Sequence, residues 1–84
     1  MKINLSENIK FYRKILGLSQ EELGNKIFCE QNRISRYEKG TRAPDIETLC
    51  ILAVIFDVTL EDLVEYDKKE ILEILAHAKK SKID

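Results

Sequence analysis

The sequence predicts an all-α protein, and three observations carry that prediction. Apolar residues recur at helical spacing, as in Leu5, Ile9, Tyr12 and Leu16. Helix punctuation is frequent: Ser19 stands three residues before Glu22, and Gly17 and Gly40 follow apolar-periodic stretches. No stretch shows the alternation of a half-buried strand, and there is no internal repeat.

The elements follow in order. A first helix is predicted over about residues 6–16, with Ser6 as its cap and Gly17 as a left-handed stop. Ser19 and Glu22 form a capping box, so a second helix opens at Gln20 and reaches about Ile27. Leu18 before that cap is placed to pack on Leu23 as a hydrophobic staple. After a break at residues 28–30, a third helix runs from about Gln31 to Lys39 and closes at Gly40. Thr41-Arg42-Ala43-Pro44 is a loop, since proline disrupts a preceding helix. Asp45 caps a fourth helix whose apolar stripe is Ile46, Leu49, Leu52, Ala53 and Phe56. Thr59 with Asp62 opens a short fifth helix containing Leu60 and Leu63. Asp67 with Glu70 starts a sixth, which runs to about Lys80. Ile71, Leu72, Ile74, Leu75 and Ala78 form its apolar side, and Lys79, Lys80 and Lys82 suit its C-terminal end.

At 84 residues the chain is read as one small domain with little room for an enzyme cleft. Its 44% apolar and 35% charged residues fit a folded soluble protein. No apolar run approaches the ~20 residues of a membrane span, and the opening MKINLSENIK has no signal-peptide stretch. A cytoplasmic location is the resulting expectation. Cys29, Cys50 and the single histidine, His77, match no metal framework. Both cysteines are read as small hydrophobes rather than nucleophiles. No catalytic residue, metal or cofactor is expected.

The net charge of −1 conceals an asymmetry. Residues 1–42 hold nine Lys/Arg against five Asp/Glu, whereas residues 43–84 hold five against ten. One half is therefore suited to face a polyanion. Within it, the third helix, Gln-Asn-Arg-Ile-Ser-Arg-Tyr-Glu-Lys, has only Ile34 and Tyr37 as an apolar stripe. Gln31, Asn32, Arg33, Ser35, Arg36 and Lys39 make up its remaining surface, which is either merely solvated or touches something polar.

Three segments decide between these readings: LSQEELGNKI, RISRYEKGTRAPDIETL and LAVIFDVTLEDL. Through them, residues 18–63 resemble the phage repressor and Cro family of helix-turn-helix DNA-binding domains, the XRE-like regulators. Residues 1–17 fit that family's first helix. Gly24 supplies the small residue where the two helices cross, and Leu23, Ile27, Cys29, Ile34 and Tyr37 can form a shared apolar wedge. The implied architecture is a five-helix repressor-like domain over residues 1–66, with residues 67–84 as an additional helical extension.

The resemblance also implies roles. The third helix would lie in the major groove, with Gln31, Asn32, Arg33 and Arg36 as base-contacting candidates. An amide can pair bidentately with adenine and a guanidinium with guanine, although Arg33 is equally suited to a phosphate. Gln20, Ser35, Lys39, Thr41 and Arg42 are the phosphate candidates. For Lys39 and Arg42 the plainer alternative is solubilising charge. Arg13 and Glu38 match an internal ion pair of the family. Removal of one partner of such a pair typically costs ~3–5 kcal/mol.

Two residues depart from the family pattern. Phe28 stands in the turn where relatives usually have glycine. Either it accepts a left-handed backbone, at ~1–2 kcal/mol offset by packing of its ring, or the turn differs locally. Glu30 stands where Ser or Thr normally caps the third helix. It is read first as a solvated acid, with a hydrogen bond from cytosine as the alternative. The partner expected is a near-palindromic double-stranded operator, bound by a homodimer with recognition helices ~34 Å apart. The last helix serves either that dimer or folds back on the first or fifth helix. The function expected is a repressor acting by operator occlusion. An antitoxin-like or other protein-interaction module, with an unidentified protein partner, is the alternative.

Overall fold

A computed structural model describes residues 4–66 and 68–81. The described residues form six helices and no strand: α1 (Leu5–Ile15), α2 (Gln20–Lys26), α3 (Gln31–Lys39), α4 (Ile46–Phe56), α5 (Leu60–Val64) and α6 (Lys68–Ser81). Ile9, Leu23, Ile34, Leu52 and Leu63 are fully buried, one from each of the first five helices. Tyr37, Ala53 and Phe56 complete this core, and Leu5, Tyr12, Leu18, Ile27, Cys29 and Leu49 pack against it. Burial on this scale is the main force holding such short helices in place, because none is long enough to be stable alone.

Local chemistry sets the helix starts. Ser19 Oγ accepts from the Glu22 N–H at 3.0 Å, and Glu22 Oε1 accepts from the Ser19 N–H at 2.9 Å, closing the capping box that opens α2. Asp45 Oδ1 accepts from the Thr48 N–H at 2.8 Å, and Thr59 Oγ1 from the Asp62 N–H at 3.0 Å. The helix ends share a different device. After α1, α2, α3 and α4, the N–H groups of two consecutive residues fold back onto carbonyls of the last turn, around Gly17, Phe28, Gly40 and Asp57. All four of these residues have a left-handed backbone.

Three sequence expectations are corrected. Ser6 does not cap α1: the helix starts at Leu5 with Asn4 at the cap position, and Asn4 makes no side-chain cap bond. Its amide donates to Glu65 Oε2 at 3.2 Å instead, while Asn8 Nδ2 donates to the Leu63 carbonyl at 2.9 Å, tying α1 to the end of α5. Ile46 is 67% exposed, because at the first position of α4 no neighbouring helix reaches it. Leu16, the cap residue of α1, is likewise exposed rather than part of the core stripe. The predicted Asp67 cap lies outside the described residues. On α6, Leu72, Ile74 and Leu75 are exposed, while Ile71 is half-buried.

Candidate nucleic-acid interface

The α2–α3 crossing sets the site. A methyl group at Gly24 would stand 2.6 Å from the Cys29 carbonyl oxygen, so this position admits no side chain without displacing backbone. The approach lets the Cys29 N–H reach the Gly24 carbonyl at 2.9 Å and turns the chain sharply into α3. Leu23 on α2 and Ile34 and Tyr37 on α3 are buried at the junction, with Ile27 and Cys29 half-buried beside them. Burial pushes the Cys29 thiol above its ordinary pKa.

With Ile34 and Tyr37 pointing inward, helical geometry dictates what points out. Asn32, Arg36 and Lys39 lie opposite them, with Gln31 and Ser35 on one flank and Arg33 on the other. Gln31, Asn32, Arg33, Arg36 and Lys39 are all exposed, and Ser35 is half-buried. Thr41 and Arg42 are exposed just beyond α3, where both backbone N–H groups fold back onto the Arg36 carbonyl. The nine candidate residues are thus divided: eight fall on or just after α3, and Gln20 opens α2.

Behind this face lies the ion pair. Arg13 Nε donates to Glu38 Oε2 at 2.6 Å and Arg13 Nη2 to Glu38 Oε1 at 3.0 Å, while Nη1 donates to the Leu18 carbonyl at 2.7 Å. The side chains are 11% and 4% exposed. The hydrogen bonding of Arg13 to Glu38 raises the Arg13 pKa further, against the opposing effect of burial. One contact of the cluster was not predicted from the sequence. Gln20 Nε2 also donates to Glu38 Oε1, at 3.2 Å. Nothing in the spacing of residues 20 and 38 signals that contact.

The two departures also resolve. Phe28 does adopt the left-handed backbone, with φ +57°, but its ring is 97% exposed, so no packing offsets the strain. Glu30 occupies the cap position of α3 without making a side-chain cap bond and is exposed. Asp45 is held below its usual pKa chiefly by hydrogen bonding to Thr48, with smaller contributions from Arg33 and Arg42. Both guanidiniums therefore stand within electrostatic range of the α4 cap.

A helix-turn-helix family profile matches residues 9–63, spanning the α1–α5 packing described above. The chain belongs to that helix-turn-helix family. Among curated relatives, it is 38% identical over 78 residues to the cryptic phage CTXphi transcriptional repressor RstR of Vibrio cholerae, covering 93% of this chain and 67% of RstR. It is 36% identical over 64 residues to the antitoxin PezA of Streptococcus pneumoniae, covering 76% of this chain and 40% of PezA. The chain spans only about half the length of some curated relatives it matches. Among solved structures, the P22 c2 repressor in complex with a synthetic operator superposes with a TM-score of 0.69 at 27% identity, over 75% of this chain and 96% of the other. SinR, a master regulator for biofilm formation solved in complex with DNA, superposes with a TM-score of 0.65 at 30% identity, over 70% and 95%. No helix among the described residues is long and apolar enough to cross a membrane.

Proposed function

We propose that this helix-turn-helix protein is a sequence-specific double-stranded DNA-binding transcriptional regulator, a dimeric cytoplasmic repressor that occludes its operator. The observation that carries this reading is the outward face of α3, where polar and cationic side chains stand opposite a buried apolar pair. Any surface helix sets polar residues opposite its apolar stripe; what points to a polyanion here is that the outward face carries Arg33, Arg36 and Lys39 and no acid, within a half-chain of net charge +4. Gln31 and Asn32 read base edges, since a carboxamide matches adenine N6 and N7. Arg36 and Arg33 match guanine O6 and N7, with Arg33 also within reach of the backbone. Gln20, Ser35, Lys39, Thr41 and Arg42 hold phosphates and fix register without reading sequence. The repressor and DNA-complex relatives support the regulator reading. The match to PezA favours a second reading, an antitoxin-like or other protein-interaction module that keeps this fold and binds a protein in place of DNA.

Selection of an operator from random duplex DNA, followed by titration of its binding against salt, tests the proposal. With roughly four phosphates neutralised per subunit, log K against log salt should fall with a slope near about −7 for a dimer. A flat response removes the duplex reading. A stable complex with a separate protein, combined with that flat response, would favour the second.

A further inference from the structure

We infer that Glu38 is a positioning residue for the DNA backbone: through the bond it accepts from Gln20, it turns the Gln20 carboxamide so that an N–H meets a phosphate. This rests on the duplex-binding reading above. Both Glu38 oxygens are engaged by Arg13, which fixes the plane of the carboxylate, and its side chain is 4% exposed. Oε1 keeps a lone pair, and Gln20 Nε2 occupies it at 3.2 Å. An ionised carboxylate only accepts hydrogen bonds, so it selects the nitrogen end of the carboxamide and rejects the oxygen. One N–H of Gln20 is thereby committed to Glu38. The other remains for a partner, and Gln20 is only half-buried.

A phosphate also only accepts. A glutamine free to rotate presents nitrogen and oxygen with similar ease, and half of its orientations would set carbonyl oxygen against phosphate oxygen. Orienting the amide before the duplex arrives removes that ordering cost from binding. Glu38 does this without repelling the phosphate, because the Arg13 guanidinium balances its charge at contact distance. Arg13 also clasps the Leu18 carbonyl, just ahead of the α2 cap, so the start of α2 and the end of α3 are held by one guanidinium. Gln20 and Glu38, given separate roles by the sequence, are in this way one unit.

The test uses the selected duplex carrying a single methylphosphonate at each backbone position in turn. Wild-type protein should show one position where binding weakens about tenfold and Gln20→Ala protein shows no further loss. Glu38→Gln protein, verified as folded by its thermal transition, should lose sensitivity at that position and retain it at the positions assigned to Lys39 and Arg42. A glutamine at position 38 can offer either its oxygen or its nitrogen to Gln20, so the orientation is no longer dictated. Full sensitivity in Glu38→Gln protein overturns the inference while leaving duplex binding intact. Failure of the wild type to select any duplex overturns both. Should Glu38→Gln not fold, side-chain ¹⁵N relaxation of the wild type without DNA decides. A Gln20 amide order parameter near ~0.85, as for rigid backbone, supports the inference, and one below ~0.6 overturns it.

Discussion

At Phe28 the backbone sits at φ +57° while the ring is 97% exposed, so the residue bears left-handed strain with no compensating contact. That strain costs a side-chain residue ~1–2 kcal/mol. Phe28→Gly should relieve it, less ~0.5–1 kcal/mol for the greater freedom of glycine in the unfolded chain. The net expectation is a gain of about 0.5–1 kcal/mol, read as a higher urea midpoint at unchanged slope; a lower midpoint would mean that the ring has a structural role. The sequence exposed Phe28 as anomalous by position, yet whether a ring packs depends on neighbours that no local pattern specifies. The Arg13–Glu38 pair lies at the other extreme. Its geometry is bidentate and nearly buried, and Glu38→Ala leaves the guanidinium without its counter-charge. A loss of ~3–5 kcal/mol follows. For a domain of this size the melting temperature should fall by at least roughly 12 °C, and an unchanged transition would contradict a structural role for the pair. This pair was legible only through family resemblance, since 25 residues separate its members.

Helix starts were readable because a cap and its target lie three residues apart: Ser19 with Glu22, Asp45 with Thr48, Thr59 with Asp62. Ser6 failed as a cap because Asn4, Asn8 and Glu65 settle the start of α1 through contacts across the fold. Helix ends divided the same way. Gly17 and Gly40 announce left-handed stops and Asp57 is of a type that tolerates one, whereas Phe28 adopts the same conformation without the residue type that signals it. The acidic caps make stability depend on pH. Glu22 is held below the ordinary carboxylate pKa chiefly by the Ser19 backbone N–H, and Asp45 chiefly by Thr48. A depressed folded-state value means that the stabilisation is complete above the unfolded pKa and disappears as pH falls through the folded one. The melting temperature should therefore be level from neutral pH to about pH 5 and fall below about pH 4. Asp45→Asn, which keeps a capping oxygen but cannot titrate, should show a shallower acid loss. A melting temperature that rises on acidification would contradict the cap assignment.

Across the whole molecule, the basic half carries α1–α3 and the proposed duplex face, while the acidic half carries α4–α6. The five-helix core was legible because each helix announces its inward residue by period, and Ile9, Leu23, Ile34, Leu52 and Leu63 meet as that predicts. Assembly was not legible, because one chain records an apolar face but not what covers it. Leu72, Ile74 and Leu75 on α6 are exposed, and a second copy is the occupant proposed for this face. Replacing Leu72 and Leu75 with glutamine should convert a sedimenting dimer to monomer and weaken duplex binding sharply, with the α1–α5 thermal transition unchanged. A wild-type monomer at high micromolar concentration would contradict it. The central claim concerns which face of α3 reads sequence. The most direct measurement compares the base preferences that wild-type, Gln31→Ala, Asn32→Ala and Lys39→Ala proteins impose on one random duplex pool. The account predicts altered preferences for Gln31→Ala and Asn32→Ala, and wild-type preferences at lower affinity for Lys39→Ala. Unchanged preferences in both amide variants would contradict it.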